Sequence, residues 1–313
     1  MKSNKQEKLS SKVDEARKEV VERVLKLMKE KDLSWIREWS LSTCAPYNAE
    51  SGRKYSGGNR LYLMGKYDDP RWFTFAQAKR QEFFPRKGEK SSLVEYWKPR
   101  QAYKDSEGNL INVVNGEIQE GATPITWLKL AGVFHVFNAA QLVNADDEPY
   151  PDIEDGEPAP VLDEALCGKA DKLIETSRCR VNEIRSNSAY YSPSQDEITV
   201  PLRTKFRSME SFLGTLTHEM THSTGIVFGR NARNGFGTKD YAYEELVAEL
   251  GSLFCCMDLG IEKAAELESD ENFENHAAYL KSWMENLADD PAYLFRAAAE
   301  ADKACSFIMN RAS

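Results

Sequence analysis

The chain has 313 residues, 41% of them hydrophobic, which is enough to fill two cores of ordinary domain size. Its net charge of -9 hides an asymmetry: residues 1–145 hold 25 Lys and Arg against 18 Asp and Glu, whereas residues 146–313 hold 16 against 32. No apolar run approaches the roughly 18 residues of a spanning helix and the first twenty residues are polar, so a membrane protein or an exported one is not expected, and the charge split suggests that only the first half meets a polyanion.

In chain order, Val13, Val20, Val24, Leu27 and Met28 fall on one side of a predicted amphipathic helix over 11–33. Strand-like runs follow at 61–64 (LYLM), 91–97 (SSLVEYW) and 126–137 (TWLKLAGVFHVF), separated by Gly- and Pro-containing turns. Residues 144–160, NADDEPYPDIEDGEPAP, carry seven acidic residues and four prolines without hydrophobic periodicity and read as a linker. Beyond it a helix is expected near 161–176, then strands near 179–185, 188–192 and 196–201. A further helix starts at the N-cap candidate Ser208 and stops at Gly225, and three more lie near 241–259, 271–287 and 291–310. The fold class is α+β in two domains, 1–143 and 161–313, joined by 144–160. A flexible linker of this length would reach roughly 20 to 25 Å and act as a tether. The cysteines Cys44, Cys167, Cys179, Cys255, Cys256 and Cys305 are scattered, form no C-x-x-C pair, and read as reduced thiols of a cytosolic protein.

The most chemically suggestive stretch is THEMTHSTG at 217–225. On a helix, His218 and His222 project from one face, the spacing that two imidazoles need to grip one tetrahedral ion. Glu219 lies about 100° round the helix, where a carboxylate can serve as general base toward water without being a ligand. A bare H-E-x-x-H also arises by accident, and a catalytic zinc needs a third protein ligand. The helix YAYEELVAELGSLF at 241–254 offers Glu245 as that ligand and Glu249, four residues on, as the group orienting a histidine. Glu244 is the alternative ligand. His135 and His276 are expected to take no part in metal binding. One zinc ion per chain is expected.

The first half contains five of the six tryptophans, with basic and aromatic residues interleaved in RKYSGGNRLY, DPRWFTFAQAKR, FFPRKGEK and EYWKPR. Single strands are held by positive charge along the backbone and by aromatic faces for the bases. Candidate contacts are Arg53, Lys54, Tyr55, Arg60, Arg71, Trp72, Arg86, Lys87, Lys90, Trp97 and Lys98. Gly57 and Gly58 would let backbone approach a phosphate, or form a plain hairpin turn.

YSGGNRLYL at 55–63, WFTFAQA at 72–78, RKGEKSSLVEYWKP at 86–99, FNAAQL at 137–142, DEITVP at 196–201, FLGTLTHEMTHSTG at 212–225 and YAYEELVAELGSLF, in this order, resemble antirestriction proteins of the ArdC type, whose N-terminal module is shared with plasmid conjugation primases. The resemblance implies a single-stranded-DNA-binding domain followed by a zincin-like metallopeptidase domain, with His218, Glu219, His222 and Glu245 in the zincin positions. It further implies protection of incoming mobile-element DNA from restriction. Ser223 departs from the pattern, since a bulky aromatic commonly follows the second histidine. The expected partners are single-stranded DNA and a DNA-bound protein such as a restriction enzyme, with no membrane. The rival expectation is a non-enzymatic DNA shield whose metal is structural or vestigial.

Overall fold

The computed structural model describes residues 2–31, 45–104, 110–111, 123–152, 162–186, 188–206, 208–230, 238–261 and 270–313. Cys44, the part of the expected linker at 153–161 and the side chain of His276 lie outside the described residues.

Helix α1 spans Lys2–Lys31, longer than its apolar stripe requires, and buries Val13, Val20, Val24 and Met28. The five-stranded sheet that follows has the order β1-β2-β6-β4-β5, with β1 at Tyr47–Asn48, β2 at Arg71–Thr74, β4 at Ser92–Lys104, β5 at Leu110–Ile111 and β6 at Thr123–Asn138. β1 and β2 run parallel and the other pairs antiparallel. Two short helices are attached, α2 at Gly58–Leu63 and α3 at Phe75–Arg80, the latter opened by a capping box between Thr74 and Gln77. β3 at Phe84–Pro85 pairs with β7 at Leu142–Val143. The LYLM run is therefore helical at Leu61–Leu63 and not a strand. An apolar run this short has no periodicity to separate the two, and Leu61, Tyr62 and Leu63 are all buried.

β4 and β6 stay paired from Ser92↔Val136 to Lys104↔Thr123, with a bulge at Tyr96/Trp97. Thirteen residues of β4 make a ribbon about 43 Å long. Among the described residues, β2 meets β6 at Val136–Asn138 and β5 meets β4 at Tyr103–Lys104, so the middle of this ribbon is two strands wide there.

The second half begins with α4 at Leu162–Glu175 and a three-stranded sheet of order β8-β10-β9 at Arg180–Ile184, Glu197–Pro201 and Tyr190–Ser192. Helix α5, Met209–Ser223, opens on Ser208, whose hydroxyl accepts the Ser211 N–H at 3.3 Å. It continues through Thr224 into α6, Gly225–Phe228, and the left-handed glycine that ends it is Gly229, at φ +71°, not Gly225. Helices α7 at Lys239–Leu259, α8 at Asp270–Asp289 and α9 at Ala292–Ala312 complete the chain.

The two halves share one core. Val24 and Met28 of α1, Leu61 of α2 and Trp72 of β2 belong to the same buried cluster as Phe212 and Leu216 of α5, Phe254 of α7 and Leu294 of α9. Arg60, 4% exposed, seals the junction: its guanidinium lies 3.4 Å from Asp258 and 3.5 Å from Asp302, donates to the Phe254 carbonyl, and sits 4.8 Å over the Phe254 ring. Residues 144–152 also fold back on the first half, with Tyr150 packed on Phe73 and Phe83 and bonded to Gln81. Packing, and not the reach of a loose tether, sets how the halves stand. Among the described residues no helix is long and apolar enough to cross a membrane.

Candidate metal centre and nucleic-acid surface

Helices α5 and α7 cross closely because small residues meet there. A Cβ on Gly251 would lie 2.5 Å from Thr221 Cγ2 and 2.6 Å from its Oγ1, so only glycine fits. The Ser252 hydroxyl donates to the Gly214 carbonyl at 2.7 Å and receives the Thr217 hydroxyl at 3.3 Å, tying the helices together beside the contact. This crossing brings the glutamates of α7 over the histidines of α5.

The His218 and His222 Nε2 atoms are 3.1 Å apart, and each lies 3.6 Å from a different oxygen of Glu245. A tetrahedral ion with ligand bonds of about 2.0 Å sets its donors about 3.3 Å apart, so this triangle fits a zinc-sized divalent ion. Other carboxylates stand behind the rings: His222 Nδ1 bonds Glu244 at 3.3 Å, whereas His218 Nδ1 and Glu249 are 3.5 Å apart, an ion-pair distance without hydrogen-bond alignment. A carboxylate bonded behind an imidazole, as Glu244 is behind His222, holds Nδ1 as the donor and leaves Nε2 free for the ion. Arg230, just beyond α6, anchors the first of these, since it donates to both oxygens of Glu244 at 3.0 and 3.2 Å, and to the Thr221 carbonyl and the Thr224 hydroxyl. Burial would raise the Glu244 and Glu245 carboxyls, but the histidines, and Arg230 in the case of Glu244, outweigh it and hold both below the ordinary range. The centre is an anionic cup suited to a cation. Glu219 is buried on α5 within the same motif, and Ser223 turns inward to bond the Met220 carbonyl at 2.7 Å.

The spacing placed His218, His222 and Glu245 together and put Glu249 behind a histidine. It left Glu244 as an alternative ligand, whereas its carboxylate backs His222. Arg230 carried no sequence signal, because it meets Glu244, fourteen residues on, only in the folded chain.

The DNA candidates scatter. Trp72 is 1% exposed and Arg60 is in the junction, so neither can touch a ligand; strand alternation and a shared core claim them. Tyr55 is half-buried against the core, Lys54 pairs with Asp258 at 3.0 Å, and Arg71 is held by Asp69 and stacked on Tyr150. The exposed Arg86 donates to the Ala140 carbonyl, and Arg53, Lys87 and Lys90 are exposed. Trp97, 38% exposed, and Lys98 lie on the ribbon, where they are joined by residues the sequence reading passed over: Tyr96, Phe134, Arg100, Leu128 and Lys129. Tyr96 and Phe134 meet edge to face at 5.7 Å, and Lys98 Nζ lies 5.5 Å from the Tyr96 ring centre.

A crystal structure of the metal-free antirestriction protein ArdC from plasmid R388 matches with a TM-score of 0.63 at 30% identity, over 95% of this chain and 97% of that one. The chain belongs to the ArdC antirestriction family. The Mn(II)-bound crystal structure of the R388 protein matches with a TM-score of 0.65 at 28% identity, over 95% and 98% of the two chains. Two family models divide the sequence: the N-terminal domain of anti-restriction factor ArdC matches residues 14–137, and a zincin-like metallopeptidase matches 168–300. The DNA primase TraC of Escherichia coli is 31% identical over 302 residues, 93% of this chain but 27% of the primase, so the chain spans about a quarter of that relative. The uncharacterized protein y4eC of Sinorhizobium fredii is 28% identical over 88% of this chain and 84% of its own length. The α+β class is that of the family, and His218, His222 and Glu245, a group that could hold a metal ion, lie within the residues matched by the zincin-like model.

Proposed function

We propose that this ArdC-family chain protects incoming single-stranded DNA from restriction, gripping the strand along the β4–β6 ribbon through residues within 1–143 and carrying a zinc peptidase-type site within 161–313. The observation that carries the DNA reading is the cross-strand pair Lys98↔Lys129, two exposed cations directly opposite each other, with Arg100 beyond them and the aromatics Tyr96 and Phe134 on the same side of the ribbon, while Trp97 projects from the other side with Glu95. Like charges so placed repel unless an anion lies between them, and bases need the adjoining rings.

In the metal half His218, His222 and Glu245 would hold the ion, with Glu249 and Glu244 orienting the two imidazoles. When bound, such an ion acidifies water and polarises a carbonyl. Glu219 is the carboxylate positioned on the motif to take the proton, and a purely structural site has no need of it. The fixed packing of the two halves presents any protein engaged on the same strand, a restriction enzyme among the candidates, to one face of the chain.

The test is protection of incoming single-stranded DNA in a restricting host. Glu219→Gln should retain metal and DNA affinity but lose protection; full protection by this variant would favour the non-enzymatic shield. Replacing Lys98, Arg100 and Lys129 together by Gln should weaken DNA binding and flatten its salt dependence by about 2 in the logarithmic slope, from about 0.7 per phosphate contact on a single strand. An unchanged slope would remove the ribbon from the site.

A further inference from the structure

We infer that Glu95 is a positioning residue that locks the Trp97 indole as a stacking face with its one donor turned inward, so that bases of a single strand are taken without being read. This rests on the ribbon being the DNA surface and on the strand passing over its edge, because Trp97 and Glu95 project from the side opposite Tyr96 and Lys98.

Glu95 lies on β4 immediately before the bulge, and its buried carboxylate takes four donors. Arg17 of α1 supplies two, Nε and a terminal nitrogen, each at 3.0 Å; the Tyr62 hydroxyl of α2 supplies one at 2.5 Å; and Trp97 Nε1 supplies the fourth at 2.7 Å. The backbone of Glu95 is held as well, since Asn59 accepts its N–H at 2.7 Å and donates to its carbonyl at 2.9 Å. Below this node lies Phe295 of α9, 5.0 Å from the Arg17 guanidinium and 5.1 Å from the Tyr62 ring. A Cβ on Gly58 would fall 2.7 Å from the Phe295 ring, so the glycine leaves that ring its place. Burial and the neighbouring carboxylate push the Tyr62 phenol well above its ordinary value, which keeps it a donor.

Indole has a single hydrogen-bonding group, a donor. With that donor given to Glu95, the exposed part of Trp97 offers a ligand only its faces and carbon edge. Every base has a π-face, so a site of this kind tolerates any sequence, whereas a free indole N–H could favour one base edge over another. Holding the ring before the strand arrives also removes the ordering cost of a side chain on an exposed ribbon. Only a carboxylate suits the node, because all four groups aimed at it are donors; a Gln amide would turn its NH2 toward at least one of them.

The test uses the full chain. In the parent, the Trp97 indole N–H cross-peak, assigned by its loss in Trp97→Phe, should exchange with solvent at least about tenfold more slowly than a free indole; exchange at the free rate overturns the inference without any variant at the node. Binding to labelled dT, dA and mixed oligonucleotides is then followed by anisotropy. Trp97→Ala should weaken all three alike, by about five- to a hundredfold, and Trp97→Phe by much less. Glu95→Gln should weaken binding several-fold in the parent and add nothing in the Trp97→Phe background. An equal loss in both backgrounds would make Glu95 a general structural residue and overturn the inference, as would Trp97→Ala weakening one oligonucleotide alone. If Trp97→Ala binds as the parent while the Lys98, Arg100, Lys129 variant binds worse, this inference fails and the ribbon reading stands. If neither changes, the ribbon reading itself fails.

Discussion

Gly251→Ala probes how finely the helix crossing sets the metal centre. The added methyl would stand 2.5 Å from Thr221 Cγ2 and 2.6 Å from Oγ1, against about 3.5 Å for ordinary carbon contact. Thr221 cannot swing aside freely, since it is fully buried and its hydroxyl bonds the Thr217 carbonyl at 2.8 Å. The helices must therefore part by about 1 Å, an overpacking that costs about 1–3 kcal/mol, from which the better helix propensity of Ala returns about 0.5–1 kcal/mol. Net destabilisation should be about 0.5–2 kcal/mol. The larger effect falls on metal affinity, because ligand distances tolerate only about 0.2 Å and Glu245 travels with α7. Affinity measured by competition against a chelator should drop at least about tenfold. Adding Thr221→Ala deletes the two clashing atoms, leaves only its Cβ at 3.1 Å, and should recover most of the loss. Parent-like affinity in Gly251→Ala, or no recovery in the double variant, would refute the idea that this close approach places the glutamates.

Arg230→Met frees Glu244 from its anchor and should lower metal affinity by about 10- to 100-fold, the usual cost of losing an outer partner of a ligand, with Arg230→Lys intermediate in the same competition assay. Arg60→Met leaves Asp258 and Asp302 without the cation buried between them and should cost about 3–5 kcal/mol in denaturant unfolding, with fluorescence and metal release changing in one shared transition. By contrast, Lys54→Ala, which removes the exposed partner of Asp258, should cost less than about 1 kcal/mol.

The grouping of side chains at the candidate metal centre was legible because its logic is local: His218 and His222 on one helix, Glu245 and Glu249 on another, each pair four residues apart and therefore on one face. What joins the pairs was not legible. Gly251 reads in isolation as a weak point in a helix, and Arg230 as a surface base in a turn; their meaning comes from tertiary neighbours. The cap at Ser208 was visible from its residue type, while the helix end slipped from Gly225 to Gly229 because Thr224 continues the turn with its hydroxyl on the Thr221 carbonyl. The DNA surface was the least legible. A mixture of aromatic and basic residues says that a segment holds both, not which way each faces, so Trp72 and Arg60 looked as eligible as Trp97. Register against β6, which puts Lys129 opposite Lys98, lies more than thirty residues away in the chain.

The two-strand width of the ribbon has a colloidal consequence. Among the described residues, β4 between Leu93 and Ala102 and β6 between Thr123 and His135 each have a ladder partner on one side only, while Tyr96, Leu128 and Phe134 leave apolar surface in solvent. Open edges with apolar surface invite a second copy to add its own strands. Lys98, Arg100, Lys104 and Lys129 set a row of like charges along those edges, and Pro99 and Pro124 withhold backbone donors from them. The same cations that would welcome a nucleic acid therefore turn away another ribbon, so neutralising them would be expected to trade solubility for self-association as salt rises.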